Sequence, residues 1–146
     1  MASSADLQKA AVYARAQIGK PFSRGASGPD TFDCKGLVWH AKLELFDEVL
    51  PPLGFDPHNI RNIIRTVQTE IAKPIWEEQS TPAHGTVVTL SHSVRGHHVG
   101  VWLEIDGGGL LHALENAGVR FQRMIELKLD GWSHFRYYRF VPEAAI

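Results

Sequence analysis

The sequence predicts an α+β domain, with helices from the first half of the chain packed on an antiparallel sheet from the second. Three observations carry this. Apolar residues recur at helical spacing as far as Ile71, the period changes to strand-like after Pro82, and glycine and proline clusters punctuate the segments between. At 146 residues the chain has the length of one domain, residues 1–146, which can bury roughly two thirds of its unfolded surface.

The first helix is expected over residues 5–18. Ser3 or Ser4 can cap it, and Leu7, Ala10, Ala11, Ala14 and Ile18 lie close to one face. Gly19 and Pro21 stop it, and Gly25, Gly28 and Pro29 make residues 22–33 a loop. A second helix starts at Asp33 or Cys34 and runs to about Phe46. Leu37, Val38, Ala41 and Leu45 fall on the face that Cys34 begins. Pro51, Pro52 and Gly54 break the chain. Asp56 then suits an N-cap and Pro57 a first helical position, before the stripe Ile60, Ile63, Ile64, Val67, Ile71. Strands are expected over 85–90, 98–105, 110–115 and 135–141, with Asp106 to Gly109 as a turn.

Composition excludes several function classes. Hydrophobic content of 44% and charged content of 21% are those of a globular protein. A net charge of -1 argues against nucleic acid or an anionic membrane as partner. The single cysteine excludes an internal disulfide. No stretch approaches the ~20 apolar residues of a membrane helix. Asp6, Lys9 and Arg15 interrupt any signal-peptide core near the N-terminus, so cytoplasmic synthesis without such a signal is the expectation.

Cys34 is the first chemical candidate. A helix N-terminus and the neighbouring Lys35 favour thiolate, which predicts fast labelling by iodoacetamide, slowed in His98→Ala. The same N–H groups can stabilise an oxyanion. The alternative is a small core residue, the commoner fate of a lone cysteine on an apolar helix face. His98, near the start of a strand, can be aimed as a general base. His112 on the next strand can orient it. Their separation of 14 puts both on one face only if the turn is odd in length, so spacing leaves contact open.

The other candidates are weaker. His92, His97, His98 and His112 could in principle hold zinc, but no ligand motif is present and adjacent strand histidines point to opposite faces. Gly107, Gly108 and Gly109 lack the strand–helix context of a phosphate loop. Trp39, Trp76, Trp102 and Trp132 suit core or groove walls. The run Arg136, Tyr137, Tyr138, Arg139 reads as a strand with alternating faces.

Four segments in order resemble the NlpC/P60 cysteine peptidases. They are Ala-Arg-Ala-Gln-Ile-Gly-Lys-Pro-Phe (14–22) with Phe-Asp-Cys-Lys-Gly-Leu-Val (32–38), Pro-Ala-His-Gly-Thr-Val-Val (82–88), His-Val-Gly-Val-Trp-Leu (98–103) and Leu-His-Ala (111–113), with Gly118-Val119 following. The resemblance implies a papain-like fold and a triad of Cys34 as nucleophile, His98 as base and His112 as orienting residue, with no cofactor and no metal. It implies hydrolysis of amide bonds in bacterial peptidoglycan stem peptides, commonly the D-γ-Glu to diamino-acid bond. Asp33, Lys35 and Phe22 stand where the family holds the substrate's free amino end. Lys35 replaces the usual Ser and Phe22 the usual Tyr, so a preference for a free L-Ala terminus is not expected.

Residues 47–81 read as a helical insertion, similar to small stand-alone members among phage-tail and gene-transfer-agent genes. That similarity implies delivery to the wall by a virion or secretion system. The partners expected are the wall peptide and, beside it, phage tail proteins or an immunity protein. Two other readings stay open: a catalytically silent tail module with the same fold, and a peptidoglycan amidase effector.

Overall fold

The computed structural model of the chain describes residues 2–52 and 60–145. Helix α1 spans Ser4–Gln17. Ser3 caps it, and Ser3 and Asp6 exchange side chain-to-backbone hydrogen bonds in a capping box. Ala10 and Ala14 are fully buried, with Leu7 and Ala11 packed beside them. Ile18, expected on this face, lies just past the helix and is 47% exposed, because the backbone turns extended there.

Helix α2 spans Cys34–Phe46, with Asp33 at its N-cap. Leu37, Val38 and Ala41 have no exposed surface. Burying each of the two larger side chains stabilises the fold by about 1.5–3 kcal/mol. The buried Lys42 ammonium donates to the carbonyl of Gly85 at 2.7 Å and pairs with Glu48 at 2.9 Å, so it ties the helix to the sheet without leaving a buried charge unpaired.

Helix α3 spans Ile60–Ile71 within the expected insertion. The expected cap Asp56 and Pro57, and the side chains of Ile60, Ile63 and Ile64, lie outside the described residues. Of the predicted stripe, Val67 is buried and Ile71 packs on the core. The buried Glu70 accepts from Trp76 Nε1 at 2.8 Å and from Lys73 at 2.7 Å, which fastens α3 to the strand that follows.

Among the described residues, six strands form one sheet: β1 Trp76–Gln79, β2 Val87–His92, β3 Gly96–Leu103, β4 Gly109–Leu114, β5 Gly118–Gln122 and β6 Trp132–Phe140. The order is β1-β6-β2-β3-β4-β5, and every neighbouring pair is antiparallel. The four expected strands are β2, β3, β4 and β6. The short edge strands β1 and β5 were not among them, nor was helix α4, Met124–Leu129. A short 3-10 helix, Pro142–Ala145, follows β6.

The two faces of the sheet bury separate cores. Val87, Val99, Val101, Leu103, Leu111, Ala113 and Tyr138 join α1 and α2 on one. Val88, Leu90, Trp102, Leu110, Leu114 and Trp132 meet Leu127 of α4 on the other. Strand β4 is therefore buried at all six positions.

The loop before α2 presses against the helix at Gly36. A Cβ there would sit 2.0 Å from the Ala26 carbonyl oxygen and 2.8 Å from Ser27 Cα, both backbone that cannot swing away. Gly36→Ala is expected to destabilise the fold by at least about 2 kcal/mol, the upper range of overpacking. Urea unfolding checks it, and an unchanged midpoint would refute the close contact.

Candidate active site

Asp33 positions the start of α2. Its two carboxylate oxygens accept from the backbone N–H of Gly36 and, at 2.9 Å, of Gly25. It is buried, and burial raises its pKa against the opposing pull of those N–H groups and of Lys35. Asp33 therefore clasps the Gly-rich loop to the helix, and both of its oxygens are engaged. Lys35 is half-buried at the second position of α2. Phe22 is half-buried, bridges to Phe32 through the backbone and packs on the core.

Cys34 opens the helix and is a free thiol, 9% exposed. Backbone N–H groups of Lys35, Val99 and Cys34 itself hold its pKa down, yet burial, helped by the Asp33 charge, pushes it up to about 12. Burial thus outweighs the helix terminus and reverses the thiolate expectation drawn from the sequence. The resting group is a neutral thiol. Iodoacetamide at pH 7 should label it at least about tenfold more slowly than free cysteine, since the thiolate is the reactive form. Labelling at or above the free-thiol rate would show that the sulfur is not held this way.

His98 lies on β3, one residue before Val99. Its Nε2 is 2.9 Å from His112 Nδ1 on β4. The loop Glu104 to Gly108 has an odd length, and the register Val101↔Leu111 sets the two imidazoles diagonally on one face. Trp132 of β6 stacks on His98, with centroids 4.9 Å apart, and meets His112 edge-on. Burial holds both imidazoles neutral. It takes His98 well below the ordinary histidine range, with the neighbouring His112 and Arg95 adding to the shift, and takes His112 to about 4 against the opposing bond from Gln122.

Cys34 and His98 are joined through Val99, whose N–H reaches the sulfur, and among the described residues no hydrogen bond links sulfur to imidazole directly. A cavity of about 650 Å³ opens beside His98 and Val99. Val67 and Ile71 of α3 form one wall, Thr89 and Arg136 line the sheet side, and it reaches His98 and Val99.

Residues 19–135 match the NlpC/P60 family. The chain belongs to this family. It is 33% identical over 144 residues to the murein DD-endopeptidase MepH of Escherichia coli, covering 94% of this chain and 47% of that protein. It is 29% identical over 133 residues to the protein named "Probable endopeptidase p60" of Listeria grayi, covering 91% of this chain and 22% of that one. The chain thus spans about half of the first relative and a fifth of the second. NlpC2 from Trichomonas vaginalis shares the fold at a TM-score of 0.63, with 19% identity, over 97% of this chain and 49% of that one. This NlpC/P60 domain has the expected α+β, papain-like architecture.

Two residues of the site were missed from the sequence. Gln122 Oε1 lies 2.8 Å from His112 Nε2, and Gln122 Nε2 donates to Asp130 at 2.7 Å. Gln122 ends β5 and Asp130 follows α4, neither of which was expected. The alternation Gly118, Arg120, Gln122 was the one available signal.

The histidines weighed for zinc are otherwise engaged. His92 Nδ1 accepts from the backbone N–H of Val94 and Arg95, and its Nε2–H donates to the Asp130 carbonyl at 2.9 Å. His97 Nδ1 bonds Ser91 at 2.9 Å. Among the described residues no group of three or more His, Cys, Asp or Glu could hold a metal ion, and no helix is long and apolar enough to cross a membrane.

Proposed function

We propose that this domain is a cysteine endopeptidase that cleaves amide bonds in bacterial peptidoglycan stem peptides, with Cys34 as nucleophile, His98 as general base and His112 as its orienting residue. The observation that carries the reading is the placement of Cys34 at the head of α2, its sulfur against the Val99 N–H, one residue from an imidazole hydrogen-bonded to a second.

The neutral thiol and neutral imidazole define the chemistry. On this reading the Cys34 thiol and the His98 imidazole come into hydrogen-bond contact when substrate binds. His98 takes the thiol proton as sulfur attacks the carbonyl carbon. The oxyanion is held by the backbone N–H groups at the helix start. The imidazolium then protonates the leaving amine, the C–N bond breaks, and water hydrolyses the thioester with His98 again as base.

Substrate lies in the cavity along α3, where Arg136 faces stem-peptide carboxylates. Lys35 and Phe22 contact the residue on the other side of the scissile bond, and Asp33 acts there by holding the loop. The bond proposed is the D-γ-Glu to diamino-acid amide. The name of MepH favours a second reading, cleavage between two D-configured residues of a cross-link. We propose that a phage tail or secretion system carries the domain to the wall.

Mass spectrometry of digested, cross-linked wall fragments tests this. A new free diamino-acid amine with a free D-Glu γ-carboxyl is the expected product. Cross-linked dimers split to monomers without it establish the second reading. Unchanged fragments would remove both.

A further inference from the structure

We infer that Gln122 and Asp130 are positioning residues that fix the tautomer of both site histidines and leave Nδ1 of His98 as the unprotonated nitrogen. The inference rests on the reading of His98 as the base.

The argument follows donors and acceptors along three consecutive bonds. Asp130 Oδ2, a carboxylate oxygen, accepts only, so the Gln122 group facing it at 2.7 Å must be the NH₂. The amide oxygen of Gln122 then faces His112 Nε2 at 2.8 Å, and that nitrogen must carry the hydrogen. A neutral imidazole has one N–H, so His112 Nδ1 holds a lone pair. It can only accept from His98 Nε2 at 2.9 Å, which therefore carries the hydrogen of the second imidazole. His98 Nδ1 is left bare. The low pKa values of both imidazoles, set first by burial, agree with one proton on each.

The end of the relay is itself held. Asp130 accepts through its backbone carbonyl from His92 Nε2 at 2.9 Å, and His92 is oriented by the turn N–H groups of Val94 and Arg95. A solvent-side carboxylate thus determines a choice made three bonds away inside the protein. Without it the Gln122 amide could turn over, His112 could carry its hydrogen on Nδ1, and His98 would then carry its own on Nδ1.

The test reads the tautomers directly. Imidazole ¹⁵N shifts of the full chain at neutral pH should show Nε2–H, with Nδ1 bare, on both His98 and His112. In Gln122→Leu this pattern should be lost or mixed, with kcat on wall fragments falling about 10–100-fold and KM held, as for other residues that orient a functional imidazole. Asp130→Ala, at an exposed position, serves if the buried substitution unfolds the protein, and should mix the tautomers more mildly. Asp130→Asn keeps an acceptor and should restore most of the rate. Nδ1–H on His98 in the wild type, or an unchanged tautomer pattern in both Gln122→Leu and Asp130→Ala, would overturn the inference. If His98→Ala instead keeps full activity, it is the assignment of the base that fails, and the tautomer shifts still decide the relay.

Discussion

Cys34→Ala is expected to lower kcat/KM for wall-peptide cleavage by at least about 10⁴-fold, the scale seen when a covalent nucleophile is removed. The loss should fall on kcat. The oxyanion donors are backbone N–H groups and survive the change, as do the cavity wall on α3 and the His98–His112 pair. Asp33 still caps α2, so the helix start keeps its place. Deleting one sulfur atom from a site already 9% exposed leaves only a small void, with a cost of about 1 kcal/mol. A melting temperature within a few degrees of wild type therefore separates lost chemistry from lost fold. Equal product profiles for the two proteins would remove the cysteine-peptidase reading, and no product from either would favour the silent structural module that the sequence left open.

The central strands and the first two helices were legible because their own residues specify them. The face Cys34, Leu37, Val38, Ala41 has a helical period, and Asp33 is a strong N-cap, so the start of α2 was placed to within one residue. The β-branched run in β2 and the alternation in β3 likewise speak for themselves. β1 does not. Trp-Glu-Glu-Gln carries no apolar alternation, and it is a strand because Trp76↔Phe140 through Gln79↔Tyr137 pair it to β6. Such an edge is set by its neighbour, with its glutamates keeping it from pairing further.

The site divides in the same way. Cys34 and the two histidines are visible as residue types, but contact between His98 and His112 depends on whether the intervening turn is odd or even. Only the fold decides that. Gln122 and Asp130 were out of reach because their elements owe their existence to long-range packing. The thiol pKa was misjudged for a related reason: the helix terminus is local and legible, whereas burial is a property of the whole core.

The second large effect belongs to His98. His98→Ala should lower kcat/KM near pH 7 by roughly 10²–10⁴-fold, the usual weight of a general base. Its pH dependence is more telling. As the proposed base, His98 would work only while neutral, and its pKa lies well below the ordinary 6.5. Activity should therefore stay level from neutral pH down past 6.5 and fall only as the pH drops through that lowered value. An acid limb at or above 6.5 would contradict the burial of His98. In His98→Ala the thiol must ionise unaided. Burial, which pushes the thiol pKa up to about 12 in the wild type, leaves very little thiolate at pH 7. The residual rate should climb about tenfold per pH unit over the alkaline range where the protein stays folded. Wild type, already supplied with a neutral base, should not climb. A flat alkaline profile in His98→Ala, together with a wild-type rate in that variant, would mean that the proton leaves Cys34 by another route.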